Sequence, residues 1–207
     1  MSAVLKVPPL NGSIVRLEPL SMTHLDGLTQ AASGDRSTFT YMAVPATADE
    51  MTTTVHHLLH LRDKGEWAPF VQVRQSDNTI VGATAYLFIR RRSDDELPYA
   101  VEIGGTWLSP LAQRTGVNTE AKYLLLRHAF EALGVGRVDI KSDERNVRSR
   151  AAIERIGATF EGVLRHWQPS MVVGEERKLR NTAMYAILDH EWSGIKASLE
   201  QRMEQEG

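Results

Sequence analysis

The chain contains no cysteine, which excludes disulfides, zinc–thiolate sites and cysteine nucleophiles. It has no apolar run near the roughly 20 residues that a membrane-crossing helix needs. An excess of one charge is also missing: 24 Lys and Arg face 26 Asp and Glu, for a formal net charge of −2. The basic surplus of a nucleic-acid binder is therefore absent. Aromatic residues make up only 7% of the chain, and Trp and Tyr are scattered without the interleaved basic pattern of a base-stacking platform. Residues 1–10 lack the basic-then-apolar layout of a signal peptide. A cytoplasmic protein is expected, with neither a membrane nor a nucleic acid as partner. What is there is an ordinary globular balance, 42% hydrophobic and 24% charged over 207 residues. That length suits one sizeable core better than two small ones, so a single domain over residues 1–207 is expected, with its core at about 10–192.

Periodicity divides the chain further. Val15 and Leu17 alternate with Arg16 and Glu18, as in a half-buried strand over residues 14–19. Residues 22–32 and 48–64 read as helices, the second stopped by Gly65. Residues 68–74 and 79–89 read as a hairpin turned at Ser76, Asp77 and Asn78. The next loop sets Arg90, Arg91 and Arg92 against Asp94, Asp95 and Glu96, a nearly self-neutralising tip. A strand over 100–108 follows, then a helix over 118–133 with Ala121, Leu124, Leu125, His128 and Ala132 on one face. A strand at 137–142, a helix at 146–156 and strands at 159–166 and 182–188 lead to a last helix over about 190–205. Trp192, Ile195, Leu199 and Met203 give that helix an apolar stripe, for docking on its own domain or on a second copy, so a monomer or a homodimer is expected. The order argues an α/β (α+β) architecture, one mixed sheet layer with helices on its faces.

The chemistry concentrates between residues 102 and 157. A strand ends at Leu108, and a short loop leads into a helix at about Asn118. Unpaired N–H groups and the dipole at such a helix start suit a pyrophosphate. Gly116 lets backbone come close, and Arg114 adds a cation. The same loop reads equally well as an ordinary connection with a glycine turn.

Several motifs in order resemble the GNAT superfamily of N-acetyltransferases. Gln113-Arg114-Thr115-Gly116-Val117-Asn118 resembles its acetyl-CoA loop. Val101-Glu102-Ile103-Gly104 and Asn118-Thr119-Glu120-Ala121 are similar to the branch that acetylates ribosomal-protein N-termini, the RimJ/RimL-like branch. So are the segments 15–20, 146–158, 180–185 and 191–192. Three positions depart from the pattern: Asn118 stands where Gly or Ala is usual, Ile153 where many members have a tyrosine general acid, and Asn181 where Asp is common.

The resemblance implies a mixed, mostly antiparallel central sheet whose fourth and fifth strands splay apart, with helices on both faces. It implies acetyl-CoA as cosubstrate, and no metal is expected. Gln113, Arg114, Thr115, Gly116, Val117, Asn118 and Thr119 would hold the pyrophosphate, and Trp107, Leu108 and Asn146 the pantetheine arm. Glu102 would take the amine proton through water, a backbone N–H near Leu108 would stabilise the oxyanion, and Ser149 would reach the leaving sulfur. Plainer readings stand beside these roles: Glu102 as an exposed strand carboxylate, Ser149 as a solvent residue, and Asn146 as a helix N-cap. His56 and His60 lie one helical turn apart, without the intervening Glu of a metalloprotease motif; a helix beside the acceptor site, whose neutral His57, His56 or His60 helps remove a proton, is the favoured reading. The expected acceptor is a primary amine, most simply a protein α-amino group or lysine. A small amine (polyamine, amino acid or aminoglycoside) is the alternative, and a non-catalytic acyl-CoA-binding module a third.

Overall fold

The computed structural model of the chain describes residues 3–93 and 97–206. The acidic triplet expected to neutralise the hairpin tip, residues 94–96, lies outside them. Among the described residues eight strands form one sheet: β1 (Leu10–Asn11), β2 (Val15–Pro19), β3 (Ala68–Arg74), β4 (Ile80–Arg90), β5 (Ala100–Leu108), β6 (Arg137–Asp143), β7 (Thr159–Pro169) and β8 (Leu179–Leu188). Their spatial order is β1-β2-β3-β4-β5-β6-β8-β7. Neighbours run antiparallel except β5 and β6, which are parallel. The helices are α1 (Leu25–Ala31), α2 (Ala48–Asp63), α3 (Val117–Arg127), α4 (Val147–Arg155) and α5 (Trp192–Glu206).

Alternation sends neighbouring residues of the sheet into two separate cores. On one face Val15, Leu17, Phe70, Tyr86 and Ile103 pack with Leu124 and Leu125 of α3 and with Trp192 and Leu199 of α5. On the other, Val71 and Val73 pack with Leu28 of α1 and with Met51 and Val55 of α2. The stripe on the last helix is thus used within the chain: Trp192 and Leu199 are buried, and Trp192 Nε1 donates to Glu131 at 2.9 Å.

Several boundaries differ from expectation for local reasons. Residues 22–24 form a 3-10 turn ahead of α1. α3 starts at Val117 and gives way to a π-helical turn over His128–Ala132. β7 and β8 are longer than their hydrophobic pattern, because the ladder continues to Pro169↔Leu179 through exposed residues. β1 is only two residues long and carries no period to read.

Glu120, in the first turn of α3, fastens that helix to the start of β2. Its carboxylate accepts from the N–H groups of Ser13, Ile14 and Val15 at 2.8, 2.7 and 2.7 Å, and from the Ser13 hydroxyl at 2.8 Å.

Candidate active site

β5 and β6 are paired only at Ala100↔Arg137, Val101↔Val138 and Glu102↔Asp139. Beyond Glu102 the two strands part, which leaves a gap in the middle of the sheet; these are the fourth and fifth strands of the expected splay, shifted by one in number because β1 precedes them. On the β4 side β5 also carries an irregularity. The step from Ala83 to Ala85 on β4 is matched by the longer step from Gly104 to Trp107 on β5, and Gly105 takes a left-handed φ of +60°. The extra residue flips the side-chain phase. Ile103 and Leu108 therefore lie in the α3 core, while Trp107 packs against the α1/α2 core.

The loop after β5 is tied down by its own side chains. Gln113 Nε2 donates to Leu108 O at 3.0 Å and to Thr38 Oγ1 at 3.1 Å, and Gln113 Oε1 accepts from Arg148 at 3.0 Å. Thr115 Oγ1 donates to Ala112 O at 2.7 Å. The first backbone bond of α3 is Glu120 N–H to Gly116 O at 3.0 Å. The amides of Thr115, Gly116, Asn118 and Thr119 thus find no backbone acceptor among the described residues, as at any helix start. Arg114 holds the left-handed conformation, φ +61°, and its side chain is exposed. Gly116 has an ordinary helical φ of −63°. A Cβ there would stand 2.7 Å from Ile14 Cδ1, so its smallness also serves packing on the inner side of the loop.

Across the gap, α4 presents Asn146 and Ser149. Asn146 Oδ1 accepts from Ser149 N–H at 3.0 Å, so the residue is an N-cap whose amide NH2 has no partner among the described residues. Ser149 is half-buried, and its hydroxyl has no hydrogen-bond partner among the described residues. Ile153 is buried in the core and has no proton to give.

Glu102 is not an exposed strand carboxylate: only 4% of it is accessible. Lys141 Nζ lies 3.1 Å from Oε2, and Oε1 has no partner among the described residues. Burial raises its pKa above the usual carboxylate value, against the opposing pull of Lys141. Asp139 beside it is held by Arg137, at 2.6 Å, and by Arg90. His56, His57 and His60 are exposed, and α2 turns Met51, Thr54, Val55 and Leu58 inward instead.

Lys122 went unread in the sequence. It is 6% exposed and donates to Thr106 Oγ1 at 2.6 Å, and that oxygen lies 2.9 Å from Thr84 Oγ1. Burial lowers its pKa to about 7. The signal was its spacing, three, four and seven residues before Leu125, Leu126 and Ala129, all buried.

The sequence matches the family model of the acetyltransferase (GNAT) domain over residues 15–159, well over half of its length, and the chain belongs to that family. A curated Bacillus subtilis (strain 168) protein named "Putative ribosomal N-acetyltransferase YdaF" is 35% identical over 102 residues, 49% of this chain and 52% of that protein. The match thus spans about half the length of this curated relative. The crystal structure of a GCN5-related N-acetyltransferase from Brucella melitensis is 28% identical, with a TM-score of 0.82 over 97% of this chain and 87% of that one. Mycobacterium smegmatis RimJ in complex with CoA-disulfide is similar in fold, with a TM-score of 0.74 at 20% identity over 91% of this chain and 88% of that one.

Proposed function

We propose that the chain is a cytoplasmic N-acetyltransferase that moves an acetyl group from acetyl-CoA to the amine of a protein, at an N-terminus or a lysine. The observation that carries this reading is the parting of β5 from β6 after Glu102, beside a helix start with unused amides. An extended thioester arm fits an opened strand pair, and a pyrophosphate fits the amides of residues 114–119. The family membership and the CoA-disulfide carried by a structure of the same fold support it.

In this reading the amine loses a proton, attacks the thioester carbonyl, and the tetrahedral intermediate expels the thiolate. Glu102 Oε1, buried and unpartnered, is the proton acceptor through water. Backbone N–H near Leu108, on the open edge of β5, supplies the oxyanion donor. The Ser149 hydroxyl reaches the leaving sulfur, and Trp107 and the Asn146 amide flank the pantetheine arm. Calorimetry with acetyl-CoA, followed by thiol release in the presence of N-terminal and lysine peptides, tests the proposal. Tight binding with peptide-dependent thiol release is the expected result; no binding of acetyl-CoA overturns it.

A further inference from the structure

On the α1/α2 face of the sheet lies a pocket of about 150 Å³, the size of an apolar cavity that holds a benzene. Leu28, Met51, Val55 and Leu58 line one side of it, and Ala83 and Trp107 the sheet side. Among the described residues no Asp, Glu, Lys, Arg or His lines it, and Thr54 and Thr84 are the only lining residues that carry a hydroxyl. The pocket reaches β5 at Gly105, the left-handed residue of the bulge. On the other side of Gly105 comes Gly104, where a Cβ would stand 3.2 Å from the unpartnered Glu102 Oε1. An apolar pocket and a buried carboxylate oxygen thus meet at one dipeptide, on the edge of the gap.

From this juxtaposition we propose that the acceptor is the α-amine of an N-terminal residue with an apolar side chain of up to about Leu or Phe size, which enters this pocket while its amine stands over Gly104 and Gly105. The inference rests on the acetyltransferase reading above and names its acceptor. A branched or aromatic side chain leaves water for the pocket and gains the transfer free energy of full burial. A second ammonium entering the pocket itself meets no carboxylate among the described lining residues and loses its hydration. The chemistry therefore selects against polyamines, aminoglycosides and peptides that begin with a charged residue. The side chain at the first position, rather than net charge, sets the preference.

The test is a set of peptides identical except for the first residue, Leu, Met, Phe, Ser, Asp or Lys, with spermidine as a further acceptor. kcat/KM is read by thiol release, and acetyl-CoA affinity by calorimetry on the same protein. Leu, Met or Phe is expected to exceed Ser, Asp and Lys by about 10- to 100-fold. Ala83→Leu, which fills the pocket from β4, is expected to erase that preference through KM while acetyl-CoA affinity stays as it was. Comparable rates for charged and apolar first residues, a faster reaction with spermidine, or no turnover of any peptide by a protein that binds acetyl-CoA each overturns the acceptor assignment and leaves coenzyme use standing. A preference for longer acyl-CoA over acetyl-CoA, lost in Ala83→Leu, gives the pocket to the acyl chain and overturns it too. Failure to bind acetyl-CoA at all overturns the underlying reading together with this one. A melting curve confirms that Ala83→Leu is folded, and the first-residue series on the unaltered protein decides the question without it.

Discussion

Lys141 on β6 reaches back to Glu102 on β5, Nζ 3.1 Å from Oε2, just where the two strands stop pairing. The contact occupies one carboxylate oxygen and leaves the other buried without a partner among the described residues. Burial keeps the carboxyl protonated to higher pH than an exposed glutamate. The acid limb of the pH–rate profile should therefore lie above the ordinary carboxylate range, with activity lost as pH falls through the raised pKa. Glu102→Gln is expected to lower kcat/KM by about 10²- to 10⁴-fold and to remove that limb. The loss should be larger for a lysine acceptor, since its amine, with a pKa of about 10.4, is less often neutral at pH 7 than an α-amine near about 7.7. An unaltered profile in the variant would take Glu102 out of the proton path.

At Gly116 packing and ligand approach make separable demands. Gly116→Val drives a side chain into Ile14 Cδ1 and should cost about 1–3 kcal/mol of stability. It should also weaken acetyl-CoA binding in calorimetry. Ile14→Ala in the same protein is expected to return part of the stability and none of the affinity. Recovery of both would mean that the glycine serves packing alone.

Glu120 gathers three backbone N–H groups and a hydroxyl. Its removal strands these donors about a hundred residues away in sequence. Glu120→Ala is expected to lose about 3 kcal/mol or more in urea unfolding. Glu120→Asp, whose carboxylate falls short by one methylene, should fall between the two. A loss within 0.5 kcal/mol, roughly that of a neutral surface change, would show that water replaces the clamp.

Lys122 gives a stability signature of defined sign. In the fold its proton leaves at about 7, against 10.5 for the free side chain. Between those values the unfolded chain binds one proton more, so this residue makes stability rise with pH by up to about 1.4 kcal/mol per unit. Below pH 7 both states are protonated and the buried ammonium is at its most costly. Urea unfolding of the unaltered chain and Lys122→Met at pH 7, 8 and 9 reads the difference. A difference that does not change with pH would mean the lysine stays charged inside.

The sequence announced the parts that depend on a repeating period. Leu124 and Leu125 mark the buried face of α3, Trp192 and Leu199 that of α5, and Val15 and Leu17 the inner side of β2. The parted strands were expected through resemblance, as was the loop over 113–119 that the proposed function gives to the coenzyme. Features that break a period stayed hidden. The bulge at Gly105 puts Ile103 and Trp107 on opposite faces although they are four residues apart, so no alternation rule finds the pocket wall. Glu120 looks like a solvated carboxylate at a helix start, a favourable place for one in any case, and its real partners are remote. The histidines of α2 suggested a site because of their chemistry, yet α2 faces the pocket with Met51, Thr54, Val55 and Leu58, and the histidines with water.

Three backbone pairs join β5 to β6, with Lys141–Glu102 and Arg90–Asp139 across the same seam, so the ladder is two leaves on a short spine. One leaf carries β1–β5 and the other β6–β8. The open end is clasped by Arg148 on α4, whose guanidinium holds Gln113 Oε1 at 3.0 Å and Thr38 O at 2.9 Å on the opposite leaf. That clasp is exposed to water, and exposed polar ties of this kind contribute little to rigidity. One continuous core under α3 and α5 spans both leaves, so what the parted edges lack is backbone pairing rather than packing. A molecule one strand wide that enters the gap acts as a keystone, supplying the missing rungs of the ladder. Occupancy of the gap would thus add stability to the fold, rising with ligand concentration by mass action.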